Sequence, residues 1–134
     1  MDRDILLARF NPNAPATAAA IDTCQANLKF VLPADYVQFL LRSNGGEGFI
    51  GESYVILDRV EELIKFNAGY EDDDFVPWFF FFGSNGGGEG FAYDLSSPAL
   101  PIIAIPFIGL EPSVALPLGA DFASFLESLH TLEW

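Results

Sequence analysis

Six residues, Gly46-Glu47-Gly48-Phe49-Ile50-Gly51, match the glycine spacing of a dinucleotide-binding turn letter for letter. That chemistry needs a strand before the glycines and a helix opening after them, so that backbone N–H groups point at the pyrophosphate. Here a helix-like segment precedes, strand-like residues follow, and Glu47 would repel phosphate. The second glycine cluster, Gly86-Gly87-Gly88-Glu89-Gly90, has no lysine beside it and is no Walker loop. Glu47, Glu89 and Asp94 are carboxylates of the kind that glycosidases pair as acid and base, and sequence spacing leaves their separation open. Glu89 stands among four glycines, and it reads as a residue that fixes a turn rather than as a partner contact.

Metal and nucleophile chemistry find little support. One cysteine and one histidine fall short of a zinc ligand set. Glu71-Asp72-Asp73-Asp74 lacks the alternating ligands and central glycine of a calcium loop, so it reads as a solvated acidic loop. Cys24 shares a helical face with Ala18, Ile21 and Leu28, which marks a small core residue. His130 falls at the end of a helix, where a positive charge is welcome. No cofactor and no metal are expected.

The charge balance says more. The 134 residues carry 19 acidic and 6 basic side chains, for a net charge of -13. Phosphates and anionic lipid surfaces would be repelled, so neither nucleic acid nor a membrane is an expected partner. A basic protein is the natural complement; the plainer reading is that acidity keeps an apolar chain soluble. A lone cysteine excludes an internal disulfide and suits a reducing compartment. Met1-Asp2-Arg3-Asp4 with only Ile5 to Ala8 before Arg9 is too short and charged for a secretory signal, so a cytoplasmic setting is expected. The apolar run from Leu100 to Leu110 is broken by Pro101 and Pro106, well short of the ~20 residues a bilayer needs.

The elements that must position these side chains follow from periodicity. Trp78-Phe79-Phe80-Phe81-Phe82 has no polar face, so it reads as a strand covered on both faces and paired on both edges. Gly90 to Asp94, with aromatics at alternate positions, reads as its hairpin partner. Further strands are expected at Phe49-Ile50, Ser53 to Leu57, Ile102 to Ile105 and Val114 to Leu116. Helices are expected over Thr17 to Leu28, from Leu32-Pro33 to Asn44-Gly45, from an N-cap at Asp58 with Glu61 three residues on, and over Asp121 to Leu129. Residues 1–16 end in Asn11-Pro12-Asn13-Ala14-Pro15, which reads as a loop. The sum is one α+β domain over residues 1–134, a largely antiparallel sheet with about four helices.

Three stretches together resemble the SUKH superfamily, which includes fungal cell-wall-assembly regulators and many bacterial immunity proteins. They are Leu32-Pro33-x-x-Tyr36-x-x-Phe39-Leu40 ending in Asn44-Gly45-Gly46, the phenylalanine-rich strand running into Gly83 to Glu89 and on to Phe91-Ala92-Tyr93-Asp94, and Phe122-x-x-Phe125-Leu126. The resemblance implies an α+β fold, no catalysis and a protein partner. In bacterial members that partner is often a toxin encoded alongside, frequently a nuclease. The acidic residues expected to meet a basic toxin are Glu47, Glu52, Glu71, Asp72, Asp73 and Asp74, all in expected loops or turns. The reading from another class is a small carboxylate-site enzyme or ligand-binding domain, which a pocket holding Glu89 and Asp94 together would favour. Because no ligand set for a metal is present, thermal melting with and without a chelator is expected to coincide. A chelator-induced drop of several degrees would contradict that, since a bound ion stabilises the native state by mass action.

Overall fold

A strand without a polar face needs cover on two sides, and the fold supplies it with two separate clusters. The computed structural model describes residues 2–68, 78–107 and 114–132. In chain order these form α1 (Arg3–Leu6), β1 (Arg9–Pro12), α2 (Ala18–Ala26), α3 (Ala34–Arg42), β2 (Gly46–Ile50), β3 (Ser53–Leu57), α4 (Val60–Ala68), β4 (Phe79–Ser84), β5 (Glu89–Asp94), β6 (Ile102–Pro106), β7 (Leu116–Gly119) and α5 (Phe122–Thr131). The strands lie side by side in chain order, and every neighbouring pair is antiparallel. The expected α+β class holds.

Two elements were not expected. The one-turn α1 and the edge strand β1 both fall in residues 1–16, where the Asn-Pro-Asn string looks like a turn. Pro12 is tolerated because it ends an outermost strand, where a missing N–H removes little from the ladder. The last strand is β7, set two residues beyond the expected Val114.

The four rings of Phe79 to Phe82 are each 5% exposed or less, as their apolarity requires. Phe80 and Phe82 point into the main core. There Phe82 packs against Tyr36 at 5.4 Å, Tyr93 at 5.0 Å and Phe125 at 5.4 Å between ring centroids. Phe79 and Phe81 point the other way, into a smaller cluster with Ala92, Ile103 and Ile105 backed by Phe107 and Ala115. Alternate side chains of one strand thus build both cores.

The edges of β4 are served less evenly. β5 pairs along it from Phe79 to Ser84, with a bulge between Phe81 and Gly83. β3 reaches it only at Gly83 and Ser84. Short of that point Asp58 donates its N–H to the Phe82 carbonyl at 2.9 Å. Then the side chain of Asn67 in α4 takes over. Its Nδ2 donates to the Phe81 carbonyl at 2.9 Å, and its Oδ1 accepts from the Phe81 N–H at 2.8 Å. One amide side chain therefore stands in for a missing residue of the neighbouring strand.

The motif from Leu32 to Gly46 is a docking device. Asp35 accepts from the Tyr36 N–H at 2.8 Å and, through its other oxygen, from the Phe122 N–H at 2.7 Å. It thereby holds the first turn of α5, whose own N-cap Asp121 accepts from Ser124 at 2.8 Å. Asn44 is buried just past α3. Its Oδ1 accepts from the Val60 N–H at 2.8 Å, and its Nδ2 donates to Glu61 Oε1 at 2.6 Å. The expected capping pair of Asp58 and Glu61 is thus corrected: the cap of α4 comes from Asn44 on another element, and Glu61 turns to that amide. This hydrogen bond holds the Glu61 carboxyl below its usual range. Two glycines of the dinucleotide-like string serve packing. A Cβ at Gly48 would lie 2.5 Å from the Arg9 carbonyl, and one at Gly51, where φ is +60°, would lie 2.2 Å from the His130 carbonyl.

Replacing Asn44 by alanine removes a helix cap and leaves the buried Val60 N–H without its partner. Asn44→Ala is expected to cost about 2 kcal/mol, read as a lower midpoint in denaturant unfolding with an unchanged slope. A loss under about 0.5 kcal/mol would mean that the cap is dispensable.

Candidate protein-binding face

Helices cover the inner face of the sheet, and the small cluster covers the outer face over β4 to β6. Over β1 to β3 the outer face stays open. In β2 exposed and buried residues alternate, with Glu47 and Phe49 exposed; in β3 Tyr54 and Ile56 are half-buried. Register aligns these side chains in two rows across three strands. Arg9, Phe49 and Tyr54 form one, and Asn11, Glu47 and Ile56 the other.

The first row is a stack. The rings of Phe49 and Tyr54 lie 5.2 Å apart at 25°, and the Arg9 guanidinium sits 4.9 Å from the Phe49 centroid. Phe49 keeps 41% of its surface exposed. The Tyr54 hydroxyl donates to the Glu47 carboxylate, linking the rows diagonally. That bond raises the Tyr54 pKa, because the acceptor stabilises the protonated phenol.

Each end of this face opens into a hollow. At one end a groove of about 200 Å³ is lined by Glu47, Asp58, Glu62, Arg59, Asn13 and Ile56. At the other a cleft of about 310 Å³ lies between Arg9, Phe49, Gly51, Glu52 and His130, with the apolar Ile5 and Leu6 also lining it. Of the acidic residues expected at a partner surface, Glu47 in β2 and Glu52 in the β2–β3 turn thus bracket the aromatic pair. Glu71, Asp72, Asp73 and Asp74 lie outside the described residues. Phe49, Tyr54, Arg9, Asp58 and Glu62 join Glu47 and Glu52 on this face and are not singled out by the sequence. The available signal was Phe49 itself, which stands two residues after Glu47 and so shares its solvent-facing phase.

The three carboxylates weighed for catalysis do not converge. Glu89 and Asp94 sit at opposite ends of β5, five positions apart and hence on opposite faces, while Glu47 is three strands away, about 14 Å. The turn before β5 is tied by Asn85, whose Oδ1 accepts from the N–H groups of Gly87 at 2.8 Å and Glu89 at 3.1 Å. The expected turn-fixing role therefore belongs to the Asn85 side chain, while Glu89 contributes its backbone. Asp94 accepts from Ser96 at the start of the following turn. Cys24 is buried in α2, where burial pushes its thiol up and away from nucleophile chemistry. His130 occupies the last turn of α5. Among the described residues no helix is long and apolar enough to cross a membrane.

What this face offers is contact chemistry: a stacked aromatic pair and an arginine, residue types enriched in protein interfaces, inside a fringe of carboxylates. Asp58 is its most perturbed member. Burial first, and then the charge of Glu62, push its carboxyl up from 3.8 to about 6. The folded protein therefore holds that proton more tightly than the unfolded chain between about pH 4 and 6, so stability falls as pH rises through that window and stays lowered above it. Asp58→Asn is expected to flatten this slope and to raise unfolding free energy at pH 7 by about 1 kcal/mol, a figure discounted for partial exposure. An unaltered pH profile would show that Asp58 ionises freely.

Residues 15–128 match the SMI1 / KNR4 family (SUKH-1). No curated protein matches the chain. The matched span opens beyond β1 and runs from the approach to α2 into the last turns of α5, taking in Asp35, Asn44 and the aromatic strand. The chain belongs to the SMI1 / KNR4 family (SUKH-1).

Proposed function

We propose that this chain is a non-enzymatic protein-binding domain that acts in the cytoplasm as an immunity protein, neutralising a basic toxin encoded beside it. The observation that carries the reading is the open face over β1 to β3, where Phe49 and Tyr54 are bracketed by Glu47 and Glu52 and continue into the Asp58–Glu62 groove. A nuclease is the toxin class that fits best. Nucleases attract phosphate, so their working faces are positive, and an acidic protein of net charge -13 can occupy such a face as a charge mimic. Charge of this kind speeds encounter, whereas the aromatic centre resists dissociation. Glu71, Asp72, Asp73 and Asp74 are proposed as additional contacts on charge alone. The separation of Glu47, Glu89 and Asp94 supports the absence of catalysis.

Association and dissociation rates with the toxin encoded next to the gene test this reading. The double variant Phe49→Ala, Tyr54→Ala is expected to raise Kd by about 100-fold through faster dissociation. Glu47→Gln with Glu52→Gln is expected to slow association at low salt and to weaken its salt dependence. Unchanged rates in both variants would move the interface to another face. A wild-type chain that ignores its neighbouring toxin would sink the immunity reading itself.

A further inference from the structure

We propose that the cleft between β1, the β2–β3 turn and the end of α5 is a carboxylate site, in which Arg9 receives one acidic side chain of the protein partner. The cleft has about 310 Å³ of space, and Arg9 stands at its edge. Its guanidinium is oriented but not neutralised. One face lies against the Phe49 ring at 4.9 Å, and a single long bond of 3.4 Å runs from Nη1 to the Gly51 carbonyl. A guanidinium carries five N–H donors in a planar fork, so most remain free for a bidentate acceptor. Among the described residues no carboxylate is in ion-pair contact with Arg9, although Glu52 lines the same cleft.

The walls select the ligand. Ile5, Leu6, Ala8 and the Phe49 ring suit a short aliphatic stem, and His130 borders the cleft beside Gly51. Glu52 also lines the cleft and repels a doubly charged group such as phosphate more strongly than a single carboxylate. An aspartate or glutamate side chain meets these terms. Its position sets the Arg9 cation at one end of the face and the carboxylates of Glu47, Asp58 and Glu62 at the other, with the aromatic pair between them. A partner docked in reverse would set like charges together at both ends, so the arrangement fixes orientation. Arg9 lies outside the span matched by the family, whereas Phe49, Gly51 and Glu52 of the same cleft lie inside it.

The proposal rests on the binding-face reading for its class of partner, but its test needs no toxin. The isotope-labelled full chain is titrated with N-acetylglutamate amide, whose only charge is the side-chain carboxylate, and separately with N-acetylglutamine amide, N-acetylglycine and inorganic phosphate. The glutamate compound is expected to give saturable NMR shifts at the Arg9 side-chain N–H groups and the Phe49 and Gly51 amides, with a Kd of about millimolar order. The glutamine compound is expected to give none. Arg9→Gln should abolish the response while leaving the remaining spectrum in place, and Arg9→Lys, which keeps charge but loses the fork, should weaken it severalfold. Absence of saturable shifts, their survival in Arg9→Gln, or tighter binding of phosphate or N-acetylglycine would overturn the assignment. Failure here with toxin binding intact removes only the carboxylate site; a positive titration with no toxin binding removes only the immunity reading.

Discussion

Everything in this fold answers to one constraint: β4 carries four consecutive phenylalanines, and neither of its faces tolerates water. Alternation sends Phe80 and Phe82 to one side and Phe79 and Phe81 to the other. Emptying any one of these positions in a packed core costs roughly 3–5 kcal/mol, a large share of what a small domain has to spare. The inner pair recruits α3 and α5 through Tyr36, Phe122 and Phe125. The outer pair draws on β5, β6 and the segments after β6 and before β7, through Ala92, Ile103, Ile105, Phe107 and Ala115. The outer cover stops there, and β1 to β3 are left with a bare face whose residues are correspondingly amphipathic.

Much of this could be read from residue order because the signals are local. An all-aromatic run bounded by a proline and a glycine specifies a doubly buried strand, and the stripes of Tyr36, Phe39, Leu40 and of Phe122, Phe125, Leu126, Leu129 specify helices with one buried side. What escaped is non-local. The bond from the Phe122 N–H to Asp35 spans 87 positions, and that from the Val60 N–H to Asn44 spans 16. Either acceptor, seen alone, looks like an ordinary helix-end residue. In the sequence Asn44 reads as the end of α3, whereas its side chain caps the start of α4. The edge strand β1 was lost for the converse reason: its Asn-Pro-Asn surroundings have strong turn character, and only pairing with β2 overrides it.

The open face over β1 to β3 shows the same division. Glu47 and Glu52 were visible because charge in a turn or on an exposed phase needs no partner to be noticed. Phe49 and Tyr54 were absorbed into the strand pattern, since an aromatic in a strand usually marks a core. Register decides the matter: Arg9, Phe49 and Tyr54 become neighbours only once β1 to β3 are paired in this alignment, and shifting any one strand by a residue would turn its members into the core. The same pairing requires Gly48, whose missing Cβ lets Arg9 approach.

Asn67 carries a consequence for motion. In a sheet, amide protons are ordinarily held by neighbouring backbone and are released when strands part. The Phe81 amide is held at 2.8 Å by a side chain that belongs to α4. Its exchange with solvent deuterium is therefore coupled to the docking of that helix, whose inner side rests on Val60 and Leu63. A proton in the middle of the most buried strand becomes a gauge of how often a peripheral helix lifts away.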